Sequence, residues 1–367
     1  MFYNPFYNAF GLDISDLSIK VVQLKAQGRY HKMLSYELMA ARSIALPYGI
    51  IVNGELEQPE IVRKYLKYLI TGNSKKDQKP IRSPWVLASL PETHNFIKQI
   101  IINKDPDDII EEDILLTVKK HLPFEENNYY LDWQILPSQE TDQTIVLVGA
   151  CPKTIADMYT YLLESVGLGV VGLEIESLAI ARAMITASKE YIDEARALLD
   201  IGATRTNLII FDNNSVQFSK TLSFSGEIMN TALSQRLHIT YDEAEKLKVK
   251  YGCEFEQKNK EIWHIMAKLV DGLTKEIEQA LNFYYSHFEN ANKVTHITMC
   301  GGGAYTKRLD EVLSQKLNIE ASPGKVWKNL HVRKADKLPS GESLGYAAAI
   351  GLALRAANNP ISKNISV

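Results

Sequence analysis

Two kinds of apolar pattern divide this chain into strands and helices. Short runs rich in β-branched residues predict a hairpin at 12–24 and strands at 32–40, 85–90, 95–102, 129–135, 144–150, 198–201, 208–211 and 297–300. Apolar residues that recur every three or four positions, with helix-start and helix-stop residues around them, predict helices at 60–70, 105–122, 154–166, 226–237, 241–251, 261–288, 306–316 and 343–355. The chain is therefore predicted to be an α/β protein.

A polar turn joins two of the predicted strands within the segment LLDIGATRTNLIIF, residues 198–211. Gly202 would let backbone N–H groups approach phosphate oxygens, Thr204 offers a hydroxyl donor, and Asp200 can hold a hydrated metal ion. Taken alone, such a turn is typical of structural hairpins as well as of phosphate sites.

The N-terminal segment GLDISDLSIK repeats this arrangement. A strand delivers Asp13 into a short polar turn that contains Ser15 and Asp16, and a second strand leaves the turn with Lys20 near its start. Two strand–Asp–turn–strand units so far apart in the chain predict two related halves that face one another.

A third glycine-rich segment follows the strand at 297–300. Gly301, Gly302 and Gly303 lie between that strand and a predicted helix, where glycines allow a ligand to approach the backbone closely. The spacing is not GxGxxG, and GxxxxGK[ST] does not occur in the sequence, so neither a dinucleotide fingerprint nor a P-loop is supported.

Composition narrows the class of protein. With 46% hydrophobic and 23% charged residues, the chain is typical of soluble globular proteins, and its 367 residues predict two or more domains. A net charge of −3 gives no electrostatic case for nucleic-acid binding. The 3 cysteines lack CxxC spacing, which indicates a reducing compartment and no cysteine metal site. No apolar run approaches the length of about 20 residues that crosses a bilayer, so we expect no direct membrane insertion.

Taken together, these segments resemble the actin/Hsp70/sugar-kinase ATPase superfamily. Within it, the order and spacing of GLDISDLSIKVVQL, IIEEDILLTVKKHLPFEENNYYLDWQIL, LLDIGATRTNLIIF and SFSGEIMNTALSQRLHITYDEAEKLK resemble the PilM family of type IV pilus assembly proteins, relatives of FtsA. The resemblance covers residues 9 to 355. It implies an actin-like ATPase fold, with duplicated ribonuclease-H-like halves and an inserted α+β subdomain of the SHS2-like, 1C type.

The resemblance also implies a domain plan. Residues 1–84 would begin subdomain 1A, 85–167 would form the insertion, and 168–195 would return to 1A. Subdomain 2A would comprise 196–225 and 294–342, with 2B at 226–293. Residues 343–367 would supply the closing helix of 1A and a polar tail, and the small residues of that helix are suited to close packing between the halves.

The same resemblance implies an ATP site, with Mg²⁺ held mainly through water by Asp13 and Asp200. The remaining nucleotide-binding candidates are Ser15, Asp16, Lys20, Gly202, Ala203, Thr204, Gly226, Glu245, Lys248, Gly301, Gly302 and Gly303. Glu176 is the candidate for orienting an attacking water, and a plain helix N-terminal acid is the alternative for it. For Glu245 and Lys248 the alternative is a surface ion pair.

The first turn departs from the superfamily pattern. Ser15 and Asp16 stand where glycine and a hydroxyl residue are favoured, and Asp16 would place a second carboxylate beside the phosphates. We therefore expect ATP binding, with hydrolysis weak or absent.

The expected function is that of a cytoplasmic adaptor in the pilus inner-membrane platform. It would bind the N-terminal cytoplasmic peptide of a PilN-type membrane protein, in extended or β form, in a groove near the insertion, and would be peripheral at the membrane through such partners. Other platform proteins and self-association are further expectations. The alternatives are an FtsA-like cell-division tether, for which the tail NNPISKNISV lacks a basic amphipathic helix, and a small-molecule kinase.

Overall fold

The structure, a computed structural model, describes residues 6–30, 33–72, 79–122, 128–136, 143–288, 290–330, 343–358 and 360. The chain forms two compact units. The first comprises the chain up to Arg182, together with Leu330 and the C-terminal helix from Ala348, and the second comprises Ala183–Asn329 and residues 343–347. Most of the linker at 71–84 and the first five residues of the aromatic N-terminal tail lie outside the described residues.

The strands, in chain order, are β1 (Phe10–Ser15), β2 (Ser18–Tyr30), β3 (Met33–Ala45), β4 (Trp85–Leu90), β5 (Phe96–Ile102), β6 (Tyr129–Leu136), β7 (Thr144–Pro152), β8 (Gly169–Ile175), β9 (Ala195–Ile201), β10 (Thr206–Asp212), β11 (Ser215–Leu222), β12 (Val294–Cys300) and β13 (Glu320–Pro323). The α-helices are α1 (Pro59–Thr71), α2 (Glu111–Val118), α3 (Lys153–Glu164), α4 (Glu176–Met184), α5 (Gly226–Leu237), α6 (Tyr241–Tyr251), α7 (Lys260–His287), α8 (Leu309–Leu317) and α9 (Ala347–Asn358).

Each unit is built on a five-stranded sheet, and the two sheets have the same plan. The order is β3-β2-β1-β4-β8 in the first unit and β11-β10-β9-β12-β13 in the second. In each, three antiparallel strands are followed by two parallel ones. The expectation of two related halves with an actin-like arrangement is confirmed.

A separate three-stranded sheet interrupts the first unit between β4 and β8. Its order is β5-β7-β6, and α2 packs on one face through a small apolar core formed by Ile100, Ile102, Ile114, Val118, Val146 and Val148. This insertion is smaller than the expected block at 85–167. Strand β4 pairs in parallel with β1 and β8, and α3 contributes Ile155, Tyr159 and Leu163 to the main core of the unit.

Capping residues set several helix boundaries as predicted. Pro59 occupies the first position of α1, the Ser225 side chain caps α5, and Thr240 with Glu243 forms a capping box at α6. One prediction was wrong: Asp105 caps only the short 3-10 turn Pro106–Asp108, and α2 begins six residues later.

The second helix boundary that differs from prediction lies after the triple glycine. A 3-10 turn, Gly302–Tyr305, comes first, and α8 starts at Leu309 rather than at residue 306. Arg308 has a positive φ of 58°, which interrupts a continuous helix at that point. Among the described residues, no helix is both long and apolar enough to span a bilayer.

Candidate functional site

Asp13 lies at the centre of a polar cluster in the first unit. It is buried on β1 directly opposite Lys20 on β2, and its Oδ2 is 3.4 Å from Lys20 Nζ. The Ser15 hydroxyl lies 3.3 Å from the same oxygen. Ser89 on β4 donates its hydroxyl to Asp13 Oδ1 at 3.1 Å and accepts the amide of Ile14 at 3.2 Å. The structure thus brings three of the predicted residues together and adds Ser89, which holds the carboxylate in place.

Asp16 takes a different place from the one expected beside the phosphates. It is buried, and its Oδ1 accepts the amide N–H of Gly54 at 2.9 Å. Gly54 has φ +84°, and a Cβ added there would lie 2.3 Å from Pro91 Cβ, so this turn requires glycine. The Tyr159 hydroxyl donates to the Gly54 carbonyl at 2.9 Å. One Asp16 oxygen therefore secures a tight turn of its own unit.

Glu176, the candidate for orienting water, is the first residue of α4 and is half-buried. A different carboxylate, that of Glu92, accepts the helix-start amide of Ser177 at 3.1 Å. Glu92 is itself buried. The alternative reading of Glu176, an acid that satisfies the helix start, therefore fits Glu92 better, because Glu92 is the residue seen to accept a hydrogen bond there.

In the second unit, Asp200 and the polar turn after it lie at the ends of two parallel strands. Asp200 on β9 is in register with Cys300 on β12, whose Sγ is 3.6 Å from Asp200 Oδ1. The turn is closed by the amide of Gly202, which donates to the Arg205 carbonyl at 2.8 Å. Thr204, within this turn, is half-buried.

The same turn is bonded to the start of α5. The Gly226 amide donates to the Gly202 carbonyl at 3.1 Å, and the Glu227 amide donates to the Ala203 carbonyl at 2.8 Å. A Cβ added at Gly226 would lie 3.4 Å from Ala203 Cα and 3.6 Å from Lys248 Nζ. The turn, the helix start and the Lys248 ammonium group therefore meet at one place.

Glu245 and Lys248 form the predicted pair on one face of α6. Lys248 Nζ is 2.6 Å from Glu245 Oε2, and the Asn230 side-chain amide donates to the same oxygen. Burial raises the pKa of Glu245, but the hydrogen bonds from Lys248 and Asn230 lower it overall. The pair is anchored to α5 and differs in this respect from a free surface ion pair.

The triple glycine lies against the end of β9. A Cβ added at Gly301 would be 2.6 Å from Asp200 Oδ1, and one added at Gly303 would be 2.2 Å from a methyl group of Ile201. Gly302 has no heavy atom within 4 Å of an added Cβ. Two of the glycines are therefore needed for packing on β9, and the third leaves its side of the backbone open.

A groove of about 680 Å³ lies within the first unit, between the insertion and the main sheet. Strands β6 and β8 both border it, and each is an edge strand: among the described strands, β6 pairs only with β7 and β8 only with β4. The walls are mainly apolar, and residues that line them include Leu90, Ile97, Leu147, Gly149, Ile175 and Leu178.

Glu174 and Arg355 also line the groove. The Glu174 carboxylate is 2.6 Å from Arg182 Nη1 through one oxygen and accepts from Arg355 through the other. One end of an otherwise apolar groove therefore carries a buried carboxylate bound to two guanidinium groups.

Sequence reasoning missed Ser89, Glu92, Glu174 and Asn230. Ser89 and Glu174 are polar residues within otherwise apolar predicted strands, which is a usable signal. Glu92 and Asn230 carry no local signal, because their partners are set by tertiary packing.

The family of the chain follows from a comparison with known proteins. The family model described as type IV pilus assembly protein PilM matches residues 11–357. The chain belongs to the PilM family. A solved structure described as a PilM-PilN type IV pilus biogenesis complex has a TM-score of 0.79 at 23% identity and covers 96% of this chain and 100% of that one.

Other similarities of this PilM-family chain are more distant. MreB5 of Spiroplasma citri bound to AMPPNP has a TM-score of 0.53 at 13% identity, with 95% of this chain and 96% of that chain covered, which shows a common fold. The cell division protein FtsA of Helicobacter pylori (strain ATCC 700392 / 26695) is 33% identical over 84 residues, 22% of this chain and 17% of FtsA. FtsA of Enterococcus faecalis (strain ATCC 700802 / V583) is 26% identical over 107 residues, 29% of this chain and 24% of FtsA. The match thus spans less than a quarter of these relatives. The predicted PilM family and the actin-like fold are confirmed.

Proposed function

We propose that this PilM-family chain is an ATP-binding component of the type IV pilus assembly platform, and that it binds the N-terminal cytoplasmic peptide of a PilN-type membrane protein. The groove in the first unit is the observation that carries the peptide-binding part. An extended peptide can add to an exposed strand edge, with main-chain hydrogen bonds giving affinity and side-chain pockets giving specificity. The borders of this groove supply two such edges, and its walls supply apolar surface.

Support for ATP binding comes from the chemistry of both acidic turns. In the first unit, Asp13 with Lys20 offers a carboxylate and an ammonium group side by side. In the second, Asp200, the Gly202 turn and Lys248 offer a carboxylate, backbone amides and a second ammonium group. Such donors suit phosphate oxygens and hydrated Mg²⁺.

The metal would be bound chiefly through water and phosphate. Within the described ranges, no group of three or more His, Cys, Asp and Glu side chains is arranged to hold a metal ion by itself. Mg²⁺ keeps several waters and binds through one or two carboxylates together with substrate phosphates, so Asp13 and Asp200 are sufficient protein ligands. Bound Mg²⁺ would neutralise phosphate charge. We propose that Gly301, Gly302 and Gly303 approach the nucleoside and that the Glu245–Lys248 pair binds its ribose and base.

Hydrolysis is not required by this proposal. Glu176 is the residue proposed to orient a water if turnover occurs, and we expect turnover to be weak or absent. The protein would work in the cytoplasm and reach the membrane through its partner, with further platform proteins and self-association as additional proposed contacts.

The test of the peptide site uses a glycine on an edge strand of the groove. Gly172 on β8 lines the groove and has no heavy atom within 4 Å of an added Cβ, so a side chain there is accommodated and projects into open space. We expect Gly172→Phe to weaken binding of a synthetic PilN N-terminal peptide at least tenfold in isothermal calorimetry.

Gly28→Phe is the matched control. Gly28 also lies on a strand, β2, with no atom within 4 Å of an added Cβ, and it does not line the groove. Peptide affinity equal to that of the unsubstituted protein in Gly172→Phe, or an equal loss in Gly28→Phe, would remove the groove from the proposal.

A further inference from the structure

Two buried asparagines of the second unit each have a side-chain atom without a hydrogen-bond partner among the residues that the structure describes. These atoms are Nδ2 of Asn207 and Oδ1 of Asn230, in side chains that are 1% and 3% exposed. Buried polar groups in folded proteins are nearly always paired with protein, water or ligand, because an unpaired one costs about 1–3 kcal/mol. Each of these atoms therefore indicates a partner that binds from outside the chain.

The orientation of each amide is fixed by its other atom. The Thr221 hydroxyl donates to Asn207 Oδ1 at 3.0 Å, which leaves the NH₂ group of Asn207 as the unsatisfied end. The NH₂ group of Asn230 donates to the Glu245 carboxylate, which leaves its oxygen unsatisfied. Asn207 thus offers a hydrogen-bond donor, and Asn230 offers an acceptor.

The donor lies at the acidic turn. Asn207 on β10 is directly opposite Asp200 on β9, and side chains opposite each other on neighbouring antiparallel strands share one face of the sheet. The expected partner at this place is an oxygen that accepts a hydrogen bond. Phosphate oxygens and the waters around Mg²⁺ both provide one.

The acceptor lies beside the Glu245–Lys248 pair. Asn230 is on α5, the helix whose first residue, Gly226, contacts both Ala203 of the turn and Lys248. Here the expected partner is a donor, and the hydroxyl groups of a ribose are the donors that a nucleotide would present.

We infer that Asn207 and Asn230 contact the nucleotide: Asn207 donates to a phosphate oxygen or to a water that hydrates the metal, and Asn230 accepts from a ribose hydroxyl. This rests on the proposed ATP binding and adds two contacts to it. The donor and the acceptor lie in the order in which a nucleotide presents anionic oxygens at one end and hydroxyl groups nearer the base.

The ribose contact is tested by comparing ATP with 2′-deoxy-ATP and 3′-deoxy-ATP in calorimetry with Mg²⁺. We expect Asn230→Leu to bind ATP about tenfold more weakly, and to bind one of the two deoxy analogues as the unsubstituted protein does, because that analogue lacks the donated hydrogen bond. Asn230→Ser is a milder variant with the same expected pattern. Equal losses for ATP and both analogues would overturn the ribose assignment.

The phosphate contact is tested with ATP and with tripolyphosphate, each with and without Mg²⁺. We expect Asn207→Leu to weaken both ligands about tenfold with Mg²⁺, and Thr221→Val to show a smaller loss because the amide is no longer held. A loss that persists without Mg²⁺ assigns the contact to phosphate, and a loss that disappears assigns it to the hydration shell. Affinities within twofold of the unsubstituted protein in both variants would overturn the contact.

Asn329→Leu is the control for a buried asparagine. Both ends of its amide are paired inside the second unit, with the Ala187 amide and the Ile185 carbonyl, so its replacement leaves nucleotide affinity unchanged. If the unsubstituted protein fails to bind ATP with Mg²⁺, the proposed function falls along with this inference. If it binds and the asparagine variants bind equally well, only the inference falls.

Discussion

The buried carboxylate of Glu174 is shared by two arginines and joins three elements of the first unit. It lies on β8, while Arg182 belongs to α4 and Arg355 to α9. Burial by itself raises the pKa of Glu174, but attraction to the two guanidinium groups holds that pKa below its usual range. The carboxylate is therefore ionised in the folded state under ordinary conditions.

Glu174→Gln is expected to lower the free energy of unfolding by about 3 kcal/mol at pH 7, because it leaves two buried guanidinium groups without their counter-charge. The folded-state pKa of Glu174 lies below the unfolded value of about 4.3. Its contribution to stability is thus fully present above that value and is lost as pH falls through the folded pKa. Urea unfolding at pH 7, 5 and 3 should show the difference between variant and unsubstituted protein shrinking in acid.

Glu278→Gln on the exposed face of α7 provides the comparison, with an expected effect within about 0.5 kcal/mol at each pH. A Glu174→Gln effect that is independent of pH would mean that the loss comes from packing rather than from the charge.

At the residue scale, the sequence predicts contacts that lie along one hairpin. The spacing of Asp13 and Lys20 across a short turn makes them neighbours, and the structure places them opposite each other. Ser89 could not be assigned in this way, since its approach to Asp13 depends on β4 pairing in parallel with β1 across a long stretch of chain. Pairing partners of parallel strands are not written in local spacing.

Helix α9 packs by backbone contact, which its small residues permit. A Cβ added at Gly351 would lie 1.7 Å from the carbonyl oxygen of Ala179 on α4, and one added at Gly11 on β1 would lie 2.4 Å from the amide of Ala353. The sequence analysis expected this helix to pack between the two halves. The structure places both of these contacts inside the first unit.

Gly351→Ala is expected to lower the free energy of unfolding by several kcal/mol, because neither helix backbone can move away without losing its own packing. Gly272→Ala in α7 is the matched control: this helical glycine has no heavy atom within 4 Å of an added Cβ. Alanine there should stabilise the protein by about 0.5–1 kcal/mol through helix propensity. Chemical denaturation of both variants measures the contrast, and similar effects of the two substitutions would contradict the close approach at Gly351.

At the element scale, helix and strand positions were largely predictable, but membership of a sheet was not. Strand β4 has the predicted bounds, yet it belongs to the main sheet and not to the insertion. Its apolar run WVLASL is buried at five of six positions, which is typical of a central parallel strand. That burial pattern, rather than the order of elements along the chain, was the signal for its true sheet.

On the scale of the whole molecule, the proposed peptide groove belongs to the first unit and Asp200 belongs to the second. The duplicated plan could be predicted because each half repeats one strand–Asp–turn–strand device. The slot occupied by the insertion between β4 and β8 corresponds to that of α8 between β12 and β13 in the second unit. No local sequence feature marks this equivalence, which becomes visible only when the two strand orders are compared.

Asp200→Ala is expected to abolish the rise in melting temperature that ATP with Mg²⁺ causes, because it removes a carboxylate that would hold the metal hydration shell. The same variant should bind the PilN peptide within about twofold of the unsubstituted protein. Thermal shift and calorimetry measure the two outcomes separately. Asp271→Ala, which removes a surface partner of Lys316, is the control and should retain both activities. An unchanged ATP-induced rise in the Asp200 variant would exclude this turn from nucleotide binding.

The unpaired borders of the groove also bear on how the protein behaves in a test tube. Strand edges with open N–H and C=O groups are templates for sheet growth between molecules, and proteins usually blunt them with charge, proline or a covering segment. Glycine occurs twice in β8, at residues 169 and 172, and lysine and proline are absent from it, so this edge has little such protection. Concentrated samples without a bound peptide should therefore precipitate sooner than samples that contain one, and a peptide in the groove would act as a solubilising plug.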